Sequence, residues 1–227
     1  MERRLLVLGG TSGIGEAFAK RAAELPSPWD SIDVIGKEKF DVNWEAAMVE
    51  LITGVAPTDV VYSVGINKLD WIRDISWVDF QYVMSVNVWG FLHLIRALDR
   101  VGPKPCNVVV VTSDAAWRPM RTSAIYCASK AALEMAVRVA SREYAPAGWR
   151  INAVAPGKVE HTPMTDYVDH RVMELRGWTM EEADDYELAS TPLGRKVTKE
   201  EVAQVIEQVL FGPKAQTGEI VAVNGGR

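Results

Sequence analysis

Residues Asn107–Val111 read Asn-Val-Val-Val-Val, a short run that is apolar on both alternating faces. A strand of that kind needs cover on both sides, the condition of a parallel sheet held between two layers of helices. Other segments recur at intervals that fit the same plan. Arg4–Leu8, Ser31–Ile35, 59–64, 150–155 and 219–223 read as further strands, with helices predicted over 14–24, 44–52, 79–99, 125–144 and 200–210. The 79–99 stretch is expected to be one long helix, apolar on more than one face. Pro146-Ala147-Gly148 and Pro156-Gly157 mark connections, and no repeat or linker divides the chain. The expected architecture is α/β, a doubly wound parallel sheet in a single domain spanning 1–227, with its site outside the carboxyl ends of the strands.

One interval breaks the pattern. Between the second strand and the next helix stand only Gly36-Lys-Glu-Lys-Phe-Asp-Val-Asn43. A parallel crossover needs about a dozen residues, so 40–42 cannot be a neighbouring parallel strand. The edge strand after strand two is therefore expected to be shortened or missing, leaving six main strands.

A length of 227 residues suits one domain with a full core. No apolar run approaches the roughly 20 residues of a membrane span. The start, Met-Glu-Arg-Arg, passes into a glycine loop without the apolar stretch of a secretory leader, so a cytoplasmic location is the expectation. A net charge of −5 without a basic block argues against nucleic acid as a partner. Cys106 and Cys127 have no metal-ligand spacing, and each reads more simply as a small packed thiol than as a reactive one. His93 is expected at the surface or an interface. His161 and His170 form no metal pattern, and no metal site is expected.

Gly9, Gly13 and Gly15 follow the first strand and open a helix. Glycines in that context permit a tight turn and close approach of a pyrophosphate to the helix N-terminus, with Thr11 and Ser12 adding hydroxyls. A plain glycine-rich turn and a methyl-donor cofactor loop are the competing readings. Tyr126 and Lys130 lie four residues apart, one helical turn on the same face. The ordinary tyrosine pKa near 10 makes it a poor acid/base group at neutral pH, and a nearby ammonium is expected to lower that value. Ser113, thirteen residues before Tyr126, stands just past the valine run. The bland alternative is a half-buried aromatic beside a solvated lysine; the added serine and glycine loop favour a catalytic set.

Taken together, these motifs resemble the short-chain dehydrogenase/reductase family over essentially the full chain. Its T-G-x-x-x-G-I-G loop is matched by Leu8-Gly-Gly-Thr-Ser-Gly-Ile-Gly15, with Leu8 in place of threonine. Asn87, Ser113, Tyr126 and Lys130 match its catalytic asparagine, serine, tyrosine and lysine. Asn152-Ala-Val-Ala-Pro-Gly157 resembles its nicotinamide loop, and His161-Thr-Pro-Met164 its cofactor-contacting threonine segment, displaced by one residue. The resemblance implies a Rossmann-like fold and an NAD(P)-dependent oxidoreductase interconverting a carbonyl and an alcohol. It assigns to cofactor binding Gly9, Thr11, Ser12, Gly13, Ile14, Gly15, Asp41, Val42, Ser63, Val64, Gly65, Asn87, Tyr126, Lys130, Pro156, Gly157, Val159 and Thr162. Asn87 is implied to hold water and lysine in a proton relay. The family's N-N-A-G appears here as Tyr62-Ser-Val-Gly65, so a non-catalytic nucleotide-binding regulator or scaffold is the alternative.

A carboxylate at the tip of the second strand binds the ribose of NAD, and a basic residue accommodates the extra phosphate of NADP. Here Gly36 and Lys37 occupy that turn, which favours NADP(H) over NAD(H) through Lys37, with Glu38 as the opposing residue. The 162–191 stretch is rich in aromatic and methionine residues and is expected to form a substrate lid. Ser113, Trp117, Tyr126, Met164 and Trp178 are the candidate substrate-binding residues, pointing to a largely apolar small molecule; lid-to-core packing is an equal reading for the aromatics. Apolar surplus on helices 79–99 and 125–144 suggests a homodimer or homotetramer.

Overall fold

A computed structural model of the chain describes residues 2–24 and 26–227. The strands β1 (Arg4–Leu8), β2 (Ser31–Ile35), β3 (Asp59–Tyr62), β4 (Asn107–Val111), β5 (Arg150–Pro156) and β6 (Ile220–Val223) form one sheet ordered β2-β1-β3-β4-β5-β6. Every neighbouring pair is parallel. The helices are α1 (Gly13–Ala23), α2 (Glu45–Val55), α3 (Trp77–Met84), α4 (Gly90–Val101), α5 (Ala124–Tyr144), α6 (Pro163–Arg176), α7 (Met180–Leu188) and α8 (Lys199–Leu210).

The period-2 alternation of strand side chains divides the core into two layers. Leu6, Leu8, Val60, Tyr62, Val108 and Val110 face α2, α4 and α5 through Met48, Ile52, Phe91, Leu94, Leu98 and Leu133. Leu5, Val7, Val61, Val109 and Val111 face α1 and α8 through Phe18, Ala22, Val202 and Ile206. The four valines of β4 thus fill both layers, which is why that run is apolar throughout. Strand order reverses at β1, where β2 lies on one side and β3 on the other; the crevice there is the usual ligand position of such a sheet.

The six-strand expectation is met. After β2 the chain makes only turns, and all five β2 residues stay partly exposed at the sheet edge. Val42, expected beside a cofactor, has its side chain buried in the core layer that also holds Leu8, Tyr62 and Phe91. Its carbonyl lies 3.0 Å from His93 Nδ1. His93 is accordingly buried rather than at the surface, a correction whose cause is this polar tie to the shortened edge segment.

The expected 79–99 helix is present as continuous helical backbone from Trp77 to Val101, with one irregularity. A π-helical turn, Ser85–Trp89, separates α3 from α4. Tyr62 is fully buried, donates from Oη to the Val86 carbonyl at 3.3 Å and packs edge-on against Phe91. A Cβ on Gly90 would stand 2.7 Å from that Oη and 2.6 Å from Val42 Cγ2. The residue that departs from the family's asparagine has therefore become a prop beneath the widened turn. β3 ends at Tyr62, two residues before expectation, which frees Ser63, Val64 and Gly65 to turn toward the crevice.

Helices α6 and α7 stand outside the sheet layers. Thr162 caps α6 by accepting from Thr165 N, and Thr179 forms a reciprocal capping box with Glu182 on α7. Leu69, Tyr167, Val172, Trp178 and Ala183 give this pair a small apolar cluster of its own.

Candidate active site

The glycine loop is shaped by contacts that leave no room for side chains. A Cβ on Gly9 would lie 2.6 Å from Ser63 O, and one on Gly15 only 2.2 Å from Gly9 O. Gly9 also has φ +78°, a backbone region costly for other residues. Ser12 precedes α1 in an extended conformation without a side-chain cap bond, and Thr11 and Ser12 are exposed. The first amides of α1 thus keep donors and a positive dipole end available to an anion. Close backbone approach, an uncapped helix start and two exposed hydroxyls fit the pyrophosphate of a dinucleotide. Ile14, by contrast, is partly buried against the layer formed by α1 and α8.

Ser113, Tyr126 and Lys130 converge at the end of β4. All three are nearly covered, at 8%, 8% and 3% exposure. Ser113 Oγ accepts from Ala115 N at 3.2 Å, which fixes the hydroxyl at the head of a short 3-10 turn, Asp114–Ala116. Lys130 Nζ donates to Val111 O at 3.2 Å and sits 5.7 Å from the Tyr126 ring centroid. Gly65 makes space for this ammonium, since a Cβ there would lie 3.2 Å from Nζ.

The electrostatics differ from the sequence expectation. Burial pushes the Tyr126 phenol up to about 12, opposed by its bond with Ser113 and reinforced by the nearby Asp114 charge. Burial also lowers Lys130 to about 8, with Glu134 pulling the other way. Desolvation thus dominates at the tyrosine, and the neighbouring ammonium does not figure among the groups that lower it. At neutral pH the phenol keeps its proton, which suits a proton donor.

Asn87 lies in the π turn and is fully buried. Its Oδ1 accepts from Ile66 N at 2.8 Å, and Nδ2 donates to Ile66 O and to Ser129 Oγ, both at 2.9 Å. Both amide protons are thus committed, leaving only an Oδ1 lone pair to receive a water or ammonium. Ser129 in turn donates to Tyr126 O at 2.8 Å. This serine was not singled out in the sequence, although it sits between the tyrosine and lysine. Gly90 was missed as well; a glycine inside a predicted helix, worth about 1 kcal/mol less than alanine there, was the available signal.

At the adenosine side the arrangement is looser. Lys37, Glu38 and Lys39 are exposed. Thr11 Oγ1 donates to Glu38 Oε2 at 3.3 Å, and Gly36 is required for this approach because its Cβ would meet Thr11 Oγ1 at 2.1 Å. Lys37 makes no side-chain bond among the described residues. Asp41 accepts from Asn43 N and Nδ2 in a local turn.

On the other flank, the extra residue before Thr162 is absorbed by His161, whose φ of +52° makes a left-handed kink. That kink brings Thr162 against Gly13, where a Cβ would be 3.6 Å from Thr162 Cβ. Met164 Sδ then lies 3.9 Å from Tyr126 Oη. Gly157 N donates to Val223 O at 3.0 Å, and Val159 is buried and bridges to Val197, so the loop after Pro156 is fixed to the last strand. Trp178 is not brought to the tyrosine; it packs on Tyr186 and under the Arg176 guanidinium. Trp117 is 47% exposed. Cys127 is half-buried and burial raises its thiol, and buried Cys106 is raised further, which favours the packed-thiol reading.

A family model described as enoyl-(acyl carrier protein) reductase matches residues 15–227. Galactitol 2-dehydrogenase of Rhizobium johnstonii is 31% identical over 220 residues, covering 93% of this chain and 81% of that protein. The solved structure of a short-chain dehydrogenase family protein from Francisella tularensis superposes with TM-score 0.86 at 23% identity, covering 100% and 98% of the two chains. Actinorhodin polyketide ketoreductase, solved with NADPH, gives TM-score 0.89 at 24% identity over 99% and 97%.

Proposed function

Because this chain belongs to the short-chain dehydrogenase/reductase family and is an NAD(P)-dependent oxidoreductase, we propose that it interconverts a carbonyl and a secondary alcohol with Tyr126 as the general acid/base. The observation that carries this reading is the convergence of Ser113, Tyr126 and Lys130 beside the uncapped, glycine-lined start of α1. Bound nicotinamide supplies the hydride for reduction and takes it in oxidation. In reduction, the Tyr126 hydroxyl gives its proton to the substrate oxygen while Ser113 donates a hydrogen bond to the same oxygen. Lys130 stabilises the phenolate left behind, and Asn87 holds the Ile66 loop and Ser129 in register with the tyrosine. Thr162 and Met164 close the site from one side, as part of a substrate lid over 162–191. Met164 beside the phenol favours a mostly apolar substrate.

The cofactor reading is NADP(H), through exposed Lys37 at the β2 turn. One observation favours a second reading, NAD(H): the Glu38 carboxylate reaches Thr11 on the glycine loop, where its charge opposes an added phosphate. Exposed Trp77, Val78, Tyr82 and Trp89 beside Met135 and Val139 of α5 support assembly as a homo-oligomer through these helices.

The deciding experiment is oxidation of NADPH and NADH over a panel of carbonyls by the parent protein and Tyr126→Phe. Loss of about 10²-fold or more in kcat with cofactor binding retained is expected; unchanged turnover would remove Tyr126 from the chemistry.

A further inference from the structure

The residue that follows Ser113 carries a second charged arrangement, beside the tyrosine–lysine pair. Asp114 is completely buried; its Oδ2 accepts from Arg118 at 3.2 Å and its Oδ1 has no partner among the described residues. Another nitrogen of Arg118 donates to Ser190 Oγ at 3.3 Å. The same hydroxyl receives a 2.7 Å bond from Arg227, which also donates to Glu187 O at 3.0 Å and pairs with the Glu187 carboxylate. Only 3% of the Arg227 side chain is exposed, and Asn224 Nδ2 holds its carbonyl at 2.8 Å. A single hydroxyl thus joins two ion pairs drawn from three separated parts of the chain.

The placement of these groups matters. Glu187 lies on α7 and Ser190 just beyond it, while Asp114 opens the turn whose Ala115 amide bonds Ser113 Oγ. A displaced α7 end would pull on Arg118, and through it on the turn that holds Ser113. Apolar side chains would cover α7 without burying a guanidinium and a carboxylate, whose desolvation is recovered only in good geometry. Charge pairs with fixed directions specify one docked position, whereas apolar contact tolerates sliding.

We propose that Arg227 is a positioning residue that, through Ser190 and Arg118, docks α7 onto the turn behind Ser113 and so sets how tightly substrate is held. This rests on the reading of 162–191 as the substrate lid of a carbonyl reductase. The test compares the parent, Arg227→Gln, Arg227→Lys and Ser190→Ala, the last removing only the shared hydroxyl. Hydrogen exchange across 180–190 reads docking without turnover; KM and kcat with the best carbonyl of the panel read its consequence. Arg227→Gln and Ser190→Ala are expected to speed exchange in α7 and raise KM about tenfold, with kcat changed less than about threefold and Arg227→Lys recovering part of the loss. Faster exchange with unchanged KM overturns the proposal by reducing the network to packing, and unchanged exchange overturns it outright. If the parent turns over no carbonyl, the reductase reading fails on its own, and unaltered exchange in Arg227→Gln still decides against docking.

Discussion

The two ends of the cofactor crevice are built differently. At the tyrosine end, Ser113, Tyr126, Lys130 and Asn87 are buried, and each is tied to backbone or to a neighbour at β4, the π turn or α5. At the adenosine end, β2 is a bare sheet edge, and the turn after it presents Lys37, Glu38 and Lys39 to solvent with one bond, Glu38 to Thr11, reaching the loop. The contrast teaches where this molecule is rigid. On the proposed function, chemistry would be held by groups whose displacement disturbs the core, whereas cofactor discrimination would rest on side chains that a surface turn leaves exposed.

The largest effect should come from the rigid end. Lys130→Met keeps the buried stem and removes the ammonium; kcat is expected to fall about 10²–10⁴-fold, measured by steady-state turnover. A small effect would erase the contrast by making the buried cation dispensable. Next comes Gly15→Ala, whose Cβ would meet Gly9 O at 2.2 Å. It should cost about 1–3 kcal/mol by urea unfolding and abolish measurable dinucleotide binding by fluorescence titration.

Smaller effects are expected at the exposed end. Lys37→Ala should weaken NADPH about tenfold while sparing NADH, and Glu38→Gln should strengthen NADPH by a similar factor. Equal effects on both cofactors, read as Kd, would show that the turn charges are merely solvated. The last effect concerns stability rather than binding or turnover. Lys130 falls from an ordinary 10.5 to about 8 on folding, so between those values the unfolded chain holds a proton that the folded chain has lost. Stability therefore rises with pH across that window. The parent should gain on Lys130→Met in urea midpoints as pH climbs from 8 to 10.5. A constant difference would mean that the lysine remains charged in the fold.

Much of this was legible in the chain. The valine run of β4 implied two helical layers because a strand apolar on both faces has no other stable setting. The short 36–43 interval implied the missing edge strand because a crossover has a minimum length. The spacing of Ser113, Tyr126 and Lys130 needed only one strand end and one helical turn to bring them together. The π turn was hidden because its cause, Tyr62 beneath Val86 and Gly90, joins residues 24 or more apart in sequence. His93 looked like a surface group because its partner is a backbone carbonyl of a segment that hydrophobic pattern leaves blank.

The sequence by itself determined the parallel α/β plan and the truncated sheet edge, and it singled out Ser113, Tyr126 and Lys130, since these follow from period, length and short spacings. Only the tertiary structure decided how burial bears on these side chains, raising the Tyr126 phenol and lowering the Lys130 ammonium. It likewise decided that Asn87 braces a loop, that Thr162 reaches Gly13 by a kink at His161, and that Arg227 bonds Ser190 just beyond α7. Desolvation and long-range hydrogen bonding depend on what surrounds a group in space, and no local pattern of residues encodes that surrounding.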